Sequence, residues 1–341
     1  MSAGTLPSPG SPNPPAPPEP GDAGPSSTSL RGSVRVLLRV HRRSLWAAGA
    51  ILVLGIGIVA ALLLWVAVQR CPAENVAACD DDDMYVITTA QNASESLLSG
   101  GGTAILLLAG LLGAFVAGPL VARELENGTF RMAWAQSVSP ARWLAARLAV
   151  PAALGVAGIS VLCLVYRWGW NEIRANPYAS GLAWFSDSVF PGIGPVAIGY
   201  VLLGVAVGAL CAVLIRRMLL SMAVTAVVLG VVMTGFGIRR WMLWPADRLL
   251  GRGYPGSGSW VTESGMLTAS GEKLLWRDCD SSFDAPGAVD CMTARGGVTH
   301  FTDYHPAAHF WPLQLVETGI LLALAALAAF AAFRVLRRLH G

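Results

Sequence analysis

Six uninterrupted apolar stretches of about 20 residues each leave this 341-residue chain very few ways to fold. They run from Leu45 to Val68, Gly102 to Val121, Trp143 to Val165, Ile193 to Ile215, Leu219 to Ile238 and Trp311 to Phe333. Each is long enough to cross a bilayer as a helix, and in hydrocarbon a helix satisfies its backbone N–H and C=O groups within one segment. Hydrophobic residues make up 54% of the chain and charged ones 13%, so no stretch remains for a large soluble domain. The expected fold is an all-α membrane protein with six transmembrane helices. Pro151 inside the third span is tolerable as a kink, because neighbouring helices can satisfy the freed carbonyl.

Six spans put both termini on one side, and charge decides which. With the termini inside, the cytoplasmic segments hold fourteen Arg against four acids and the outer segments ten bases against seventeen acids. The net charges are then +10 and −7, the segregation that the positive-inside rule demands. A multi-pass protein of the plasma membrane with both termini cytoplasmic is expected. Arg supplies all the basic residues except Lys273.

The segments outside the spans divide accordingly. Residues 1–29 contain nine prolines and few large apolar side chains, which predicts a disordered cytoplasmic tail. No signal-peptide pattern is present, so the tail is expected to be retained. Over residues 30–44, Leu30, Val34, Leu37 and Leu38 share one helical face and Arg31, Arg35, Arg39 and Arg42 the adjoining one, which predicts an amphipathic interfacial helix lying on anionic headgroups. Residues 45–238 carry the first five spans. Residues 239–310 read as a small extracytoplasmic cap with a short hairpin around Glu263-Ser264-Gly265, and 311–341 as the last span with a basic cytoplasmic end.

Between the second and third spans lies a polar island, VARELENGTFRMAWAQSVSPARWLAARL, from Val121 to Leu148. Asn127-Gly128-Thr129 carries turn chemistry, and Arg123, Glu124, Glu126 and Arg131 cluster around it. Such a loop, 122–136 at its core, can present a compact charged tip to a cytosolic partner.

Cys71 and Cys79 share the first outer loop and Cys279 and Cys291 the cap, an oxidising face on which disulfides form. Three pairings of these four are possible, and proximity favours Cys71 with Cys79 and Cys279 with Cys291; four free thiols are the alternative. Gln314 and Glu317 sit in the last span. A carboxylate there is costly unless it faces a partner or water, so the two are candidates for a translocation path, against an interfacial position satisfied by headgroups or a helix end.

Other patterns point away from chemistry. Lys273, the one lysine, precedes Leu274 and lies in the outer cap, so the chain supplies no cytosolic P-loop. Leu98-Ser99-Gly100-Gly101-Gly102 superficially resembles an ABC signature loop but sits at the mouth of a span. His300, Asp303, His305 and His309 lack helical ligand spacing, with Pro306 breaking the run, and Asp80 to Asp83 lack the glycine turn of a calcium loop, so no metal is expected.

Arg123-Glu124-Leu125-Glu126-Asn127-Gly128-Thr129, continuing through Trp134-Ala135-Gln136-Ser137-Val138-Ser139 to Arg142-Trp143, resembles the first cytoplasmic loop of type-2 ABC exporter permeases from actinobacteria. Tyr304-His305-Pro306, followed by Phe310-Trp311-Pro312-Leu313-Gln314 and Glu317, is similar to the approach to the last helix in that group. The resemblance implies a permease that catalyses no bond chemistry. It implies a second permease subunit beside it and separate ABC ATPase subunits that bind ATP and Mg and dock below. Arg123, Glu124, Glu126, Asn127, Gly128 and Thr129 would form the coupling element. His309 stands where relatives often carry a base and the cap is longer than in compact members, so the resemblance names no substrate. It calls for the lipid bilayer and protein partners, and no nucleic acid. The alternatives are a membrane sensor or immunity protein that needs no ATPase, and an integral membrane enzyme, for which no span carries a paired His, Asp or Ser set.

Overall fold

The computed structural model describes residues 42–69, 81–128, 139–175, 182–279 and 287–338. Two units are distinguished, Met1–Ala50 and Ile51–Gly341. The described part of the first is the opening of helix α1 (Arg42–Val68). The Pro-rich tail and Arg31, Arg35 and Arg39 of the expected interfacial helix lie outside the described residues, and Arg42 is the first residue of α1.

Six helices among the described residues are long and apolar enough to cross a membrane, as expected. The second span is much longer than its apolar run. Helix α2 (Asp81–Leu112) starts some twenty residues before Gly102, passes through a π-helical turn at Gly113–Ala117 and continues as α3 (Gly118–Glu126). Its added turns are polar by composition yet bury one face: Ala90, Gln91, Ser94, Glu95 and Leu98, at helical spacing, are all nearly inaccessible. Helix α4 (Pro140–Arg174) begins at Ser139, whose hydroxyl accepts from the Arg142 N–H, with Pro140 at the first helical position where a missing N–H costs nothing.

Helix α5 (Val196–Ile215) is the central element. It is apolar on every face, which suits a helix enclosed by others, and it packs most extensively on α8 (Phe310–Arg338). The next helix, α6 (Met218–Arg239), follows after a two-residue turn in which Arg216 adopts φ 54°, the one positive φ at a non-glycine among the described residues. That turn, the end of α3, the start of α4 and the end of α8 mark one end of the bundle.

The other end carries the cap, and there the structure departs from the expected hairpin. Strands β1 (Asp247–Leu250), β2 (Trp260–Thr268), β3 (Lys273–Leu275) and β4 (Gly297–His305) form an antiparallel sheet in the order β1-β4-β2-β3. Glu263-Ser264-Gly265 lies inside β2, opposite Asp303, Thr302 and Phe301 of β4. The turn falls later, where Gly271 takes φ +84° and the Gly271 N–H donates to the Thr268 carbonyl at 2.9 Å. Short helix α7 (Ala288–Ala294) is fastened to the stretch after β3 by the Cys279–Cys291 disulfide, over a small core of Met266, Trp276, Ala288 and Met292. The Cys71–Cys79 pairing lies outside the described residues. Aromatic contacts join cap to bundle: Phe185 stacks on Trp260 with centroids 5.5 Å apart, and the Trp184 indole N–H donates to the Gly258 carbonyl at 2.7 Å.

Candidate coupling site

Pro119 explains why α3 is set off from α2. Its ring has no N–H to donate and crowds the carbonyl four residues back, and the π turn directly before it widens the helix where that conflict falls. The Gly118 N–H reaches back five residues to the Gly113 carbonyl. The turn is seated on α5 without side chains between: a Cβ at Gly113 would lie 2.3 Å from the Gly204 carbonyl carbon, and one at Gly208 would lie 2.6 Å from the Gly113 oxygen. Backbone rests on backbone here, so α3 has a fixed bearing on α5 at the point where its own helical ladder is loosest.

From this bearing α3 runs to the polar end of the bundle. Val121 and Ala122 are fully buried in a cluster with Trp143, Leu144, Val213 and Leu336, while Arg123, Glu126 and Asn127 are exposed. The two carboxylates do not form a free tip. Glu124 takes Arg147 of α4 at 2.5 Å and accepts from the Trp143 indole N–H at 3.1 Å. Glu126 accepts at 3.1 Å from the backbone N–H of Met218, one of the donors left unpaired at the start of α6. The charged pair at Glu124 is half exposed and contributes little to stability by itself; together the two carboxylates tie the end of α3 to α4 and α6. The helix closes with the Asn127 N–H on the Arg123 carbonyl, and Gly128 follows at φ +70°. Thr129 and the rest of the 122–136 loop lie outside the described residues.

Gln314 and Glu317 are also accounted for by partners. Both are inaccessible. The Gln314 amide donates to the Phe190 carbonyl at 2.6 Å while its oxygen accepts from the Val196 N–H at 3.2 Å, capping α5. Glu317 accepts from Arg240 Nε at 2.9 Å and from the Tyr200 hydroxyl at 3.2 Å. Arg240, itself buried, holds Asp187 at 3.0 Å with its other edge and lies over the Phe190 ring. Sequence reasoning missed Arg240, which reads there as one more outer base. The signal was present all the same, since an intramembrane carboxylate needs a cation.

The histidines come closer together than their spacing suggests. Pro306 ends β4 in a 3-10 turn that brings His309 back, so that its Nδ1 lies 3.1 Å from Nδ1 of His305. His305 is enclosed and donates from Nε2 to the Trp241 carbonyl at 2.9 Å, and burial holds its pKa below the usual value. Asp303 lies on the sheet between Arg248 and Lys273. Among the described residues no three His, Cys, Asp or Glu side chains converge as a metal site. Leu98–Gly102 lies within α2, in regular helix.

A family model described as ABC-2 membrane transporter related matches residues 47–240, more than half of the chain and the whole stretch from the first span through the end of α6. No curated protein and no solved structure matches. The match takes in both halves of the braced α3 corner and five of the six spans, and the chain belongs to the ABC-2 membrane transporter related family, the permeases of ABC transporters.

Proposed function

We propose that this chain is the plasma-membrane permease of an ATP-driven exporter, with both termini cytoplasmic, acting beside a second permease subunit. A separate ABC ATPase binds ATP and Mg and docks on the end of α3. The observation that carries this reading is the bracing of that end: Glu124 and Glu126 tie it to α4 and α6 while Arg123 and Asn127 face outward. A push on the outward residues reaches two spans directly, and the π turn at Gly113–Ala117 supplies a compliant joint behind it. Closure of the ATPases would thereby shift the population of the permease between states of different access.

The test is to co-express the chain with its ATPase and replace Glu124 and Glu126 by Ala together, or Gly128 by Val, which resists positive φ. Membrane levels are expected to stay normal while the ATPase loses its acceleration by the permease. Unchanged acceleration in both variants removes the coupling role, and a purified chain that responds to ligand with no ATPase present favours a sensor instead.

A further inference from the structure

Near the cap, Arg240, Arg248 and Lys273 each hold at least one carboxylate. Arg167, toward the end of α4, holds none among the described residues. Its guanidinium donates from Nη1 to the Ile193 carbonyl at 2.7 Å and lies against the rings of Phe310 and Trp311, 5.6 and 5.3 Å from their centroids. Carbonyl and rings fix the group in place. The remaining edge of the fork, Nε and Nη2, has no hydrogen-bond partner among the described residues, and neither atom is among the enclosed unpartnered ones, so this edge is open to the surroundings. The same edge of Arg248 takes both oxygens of Asp303, at 2.6 and 2.9 Å.

The neighbours show what the open edge meets. Leu164 and Trp168, on the same side of α4 as Arg167, and Trp311 and Leu315 of α8 are all exposed, so this flank of the bundle faces lipid. Trp311 stands about 35 Å along α8 from Arg334, at a rise of roughly 1.5 Å per residue, against a hydrocarbon core of about 30 Å. Trp311 and the Arg167 guanidinium against it therefore lie at headgroup level, while Leu164 and Leu315 lie about one turn nearer the bilayer centre, where acyl chains run. A half-buried cation at that level, fixed in position and with two donors open, calls for an anion. A zwitterionic head brings a cation of its own and leaves the charge of Arg167 uncompensated.

We propose that Arg167 binds the phosphate of a negatively charged phospholipid from the leaflet on the cap side. Nε and Nη2 take two phosphate oxygens side by side, as a guanidinium does with any planar or tetrahedral oxyanion, and the acyl chains lie along Leu164 and Leu315. The site stands apart from the braced end of α3 and needs no ATPase.

The full-length chain is purified in detergent, titrated with an equal mixture of phosphatidylglycerol and phosphatidylcholine of matched chains, and its bound lipids are counted by native mass spectrometry. Exposed arginines elsewhere retain phosphatidylglycerol as well, so the readout is the difference between variants. One phosphatidylglycerol per chain is expected to bind about fivefold more weakly in Arg167→Gln, the weight of a single arginine beside an anionic head. Leu164→Glu leaves the ring contacts intact and offers Arg167 a carboxylate three positions away on the same helix, so it should release the same lipid. Arg239→Gln, which removes an exposed base at the cap end of α6, should leave that lipid in place. Retention of that lipid in Arg167→Gln or in Leu164→Glu, an equal loss in Arg239→Gln, or equal retention of phosphatidylcholine by the parent would overturn the proposal. Displacement of the lipid by an excess of soluble glycerol phosphate would also overturn it, by showing a phosphate site that needs no membrane.

Discussion

Glu317 shows how a single residue in hydrocarbon dictates its surroundings. The carboxylate is tolerated because Arg240 and Tyr200 meet both of its oxygens, and the guanidinium because Glu317, Asp187 and the Phe190 ring surround it. Replacing one member alone leaves the other charge enclosed, so Glu317→Ala is expected to lower stability by about 3–5 kcal/mol. Glu317→Leu combined with Arg240→Met should recover most of it, and thermal unfolding in detergent distinguishes the two; equal losses would show that the site is not a pair. That Glu317 needed a partner was legible in the sequence. Which partner was not, because Arg240 is 77 positions away in a segment that reads as outer surface. His305 gives a pH dependence of known sign. Burial lowers its folded pKa below 6.5, so the unfolded chain binds the proton more readily. The stability it allows is present above about pH 6.5 and is lost as pH falls from there through the depressed folded value. Unfolding of the cap followed from pH 8 to pH 5 should therefore shift to lower temperature in the parent and flatten in His305→Asn.

At the scale of elements, the number of spans was legible and their lengths were not. Apolar runs identify the stretch in contact with lipid, whereas α2 extends through residues whose buried face includes Gln91, Ser94 and Glu95, polar groups that hydropathy counts as loop. The coupling corner was legible as turn chemistry, yet Glu124 and Glu126 are engaged by neighbouring helices because α4 and α6 bring an indole N–H, a guanidinium and the open start of a helix within reach. The π turn had a trace in Gly113, Gly118 and Pro119, but its meaning depends on Gly204 and Gly208 of another helix. Gly113→Ala is expected to destabilise the bundle strongly, since its Cβ would meet backbone at 2.3 Å and backbone cannot turn aside. Gly230→Ala, with nothing within 4 Å, should be neutral or stabilising by up to about 1 kcal/mol. Thermal unfolding of the two variants side by side checks this, and similar behaviour would refute the close backbone contact.

At the scale of the whole molecule, orientation is the property that the coupling corner depends on, and charge distribution argues it. The Arg216-Arg217 turn and the cap are joined through α6, whose 22 residues separate them by about 33 Å, a full bilayer core. The cap was legible as an outer segment with cysteines and a short hairpin but not as a sheet, because β1 pairs with β4 across residues 251–296, which hold the β2–β3 hairpin and α7. Fourteen Arg against four acids in the segments assigned inside favour the face with the turn as cytoplasmic. Cys163 and Cys211 are buried and Cys279–Cys291 is bonded, so replacing Cys71, Cys79, Cys163 and Cys211 by Ser or Ala gives a background without reactive thiols. In it Ser257→Cys, exposed in the cap, should react with a membrane-impermeant maleimide in intact cells. Arg217→Cys, exposed at the opposite end, should react only after the membrane is opened. Ser94, although it precedes the apolar run of its span, is enclosed and should stay unreactive as Ser94→Cys from either side. Labelling of Arg217→Cys in intact cells, with Ser257→Cys protected, would invert the molecule and place the braced end of α3 outside, where no ATPase could reach it.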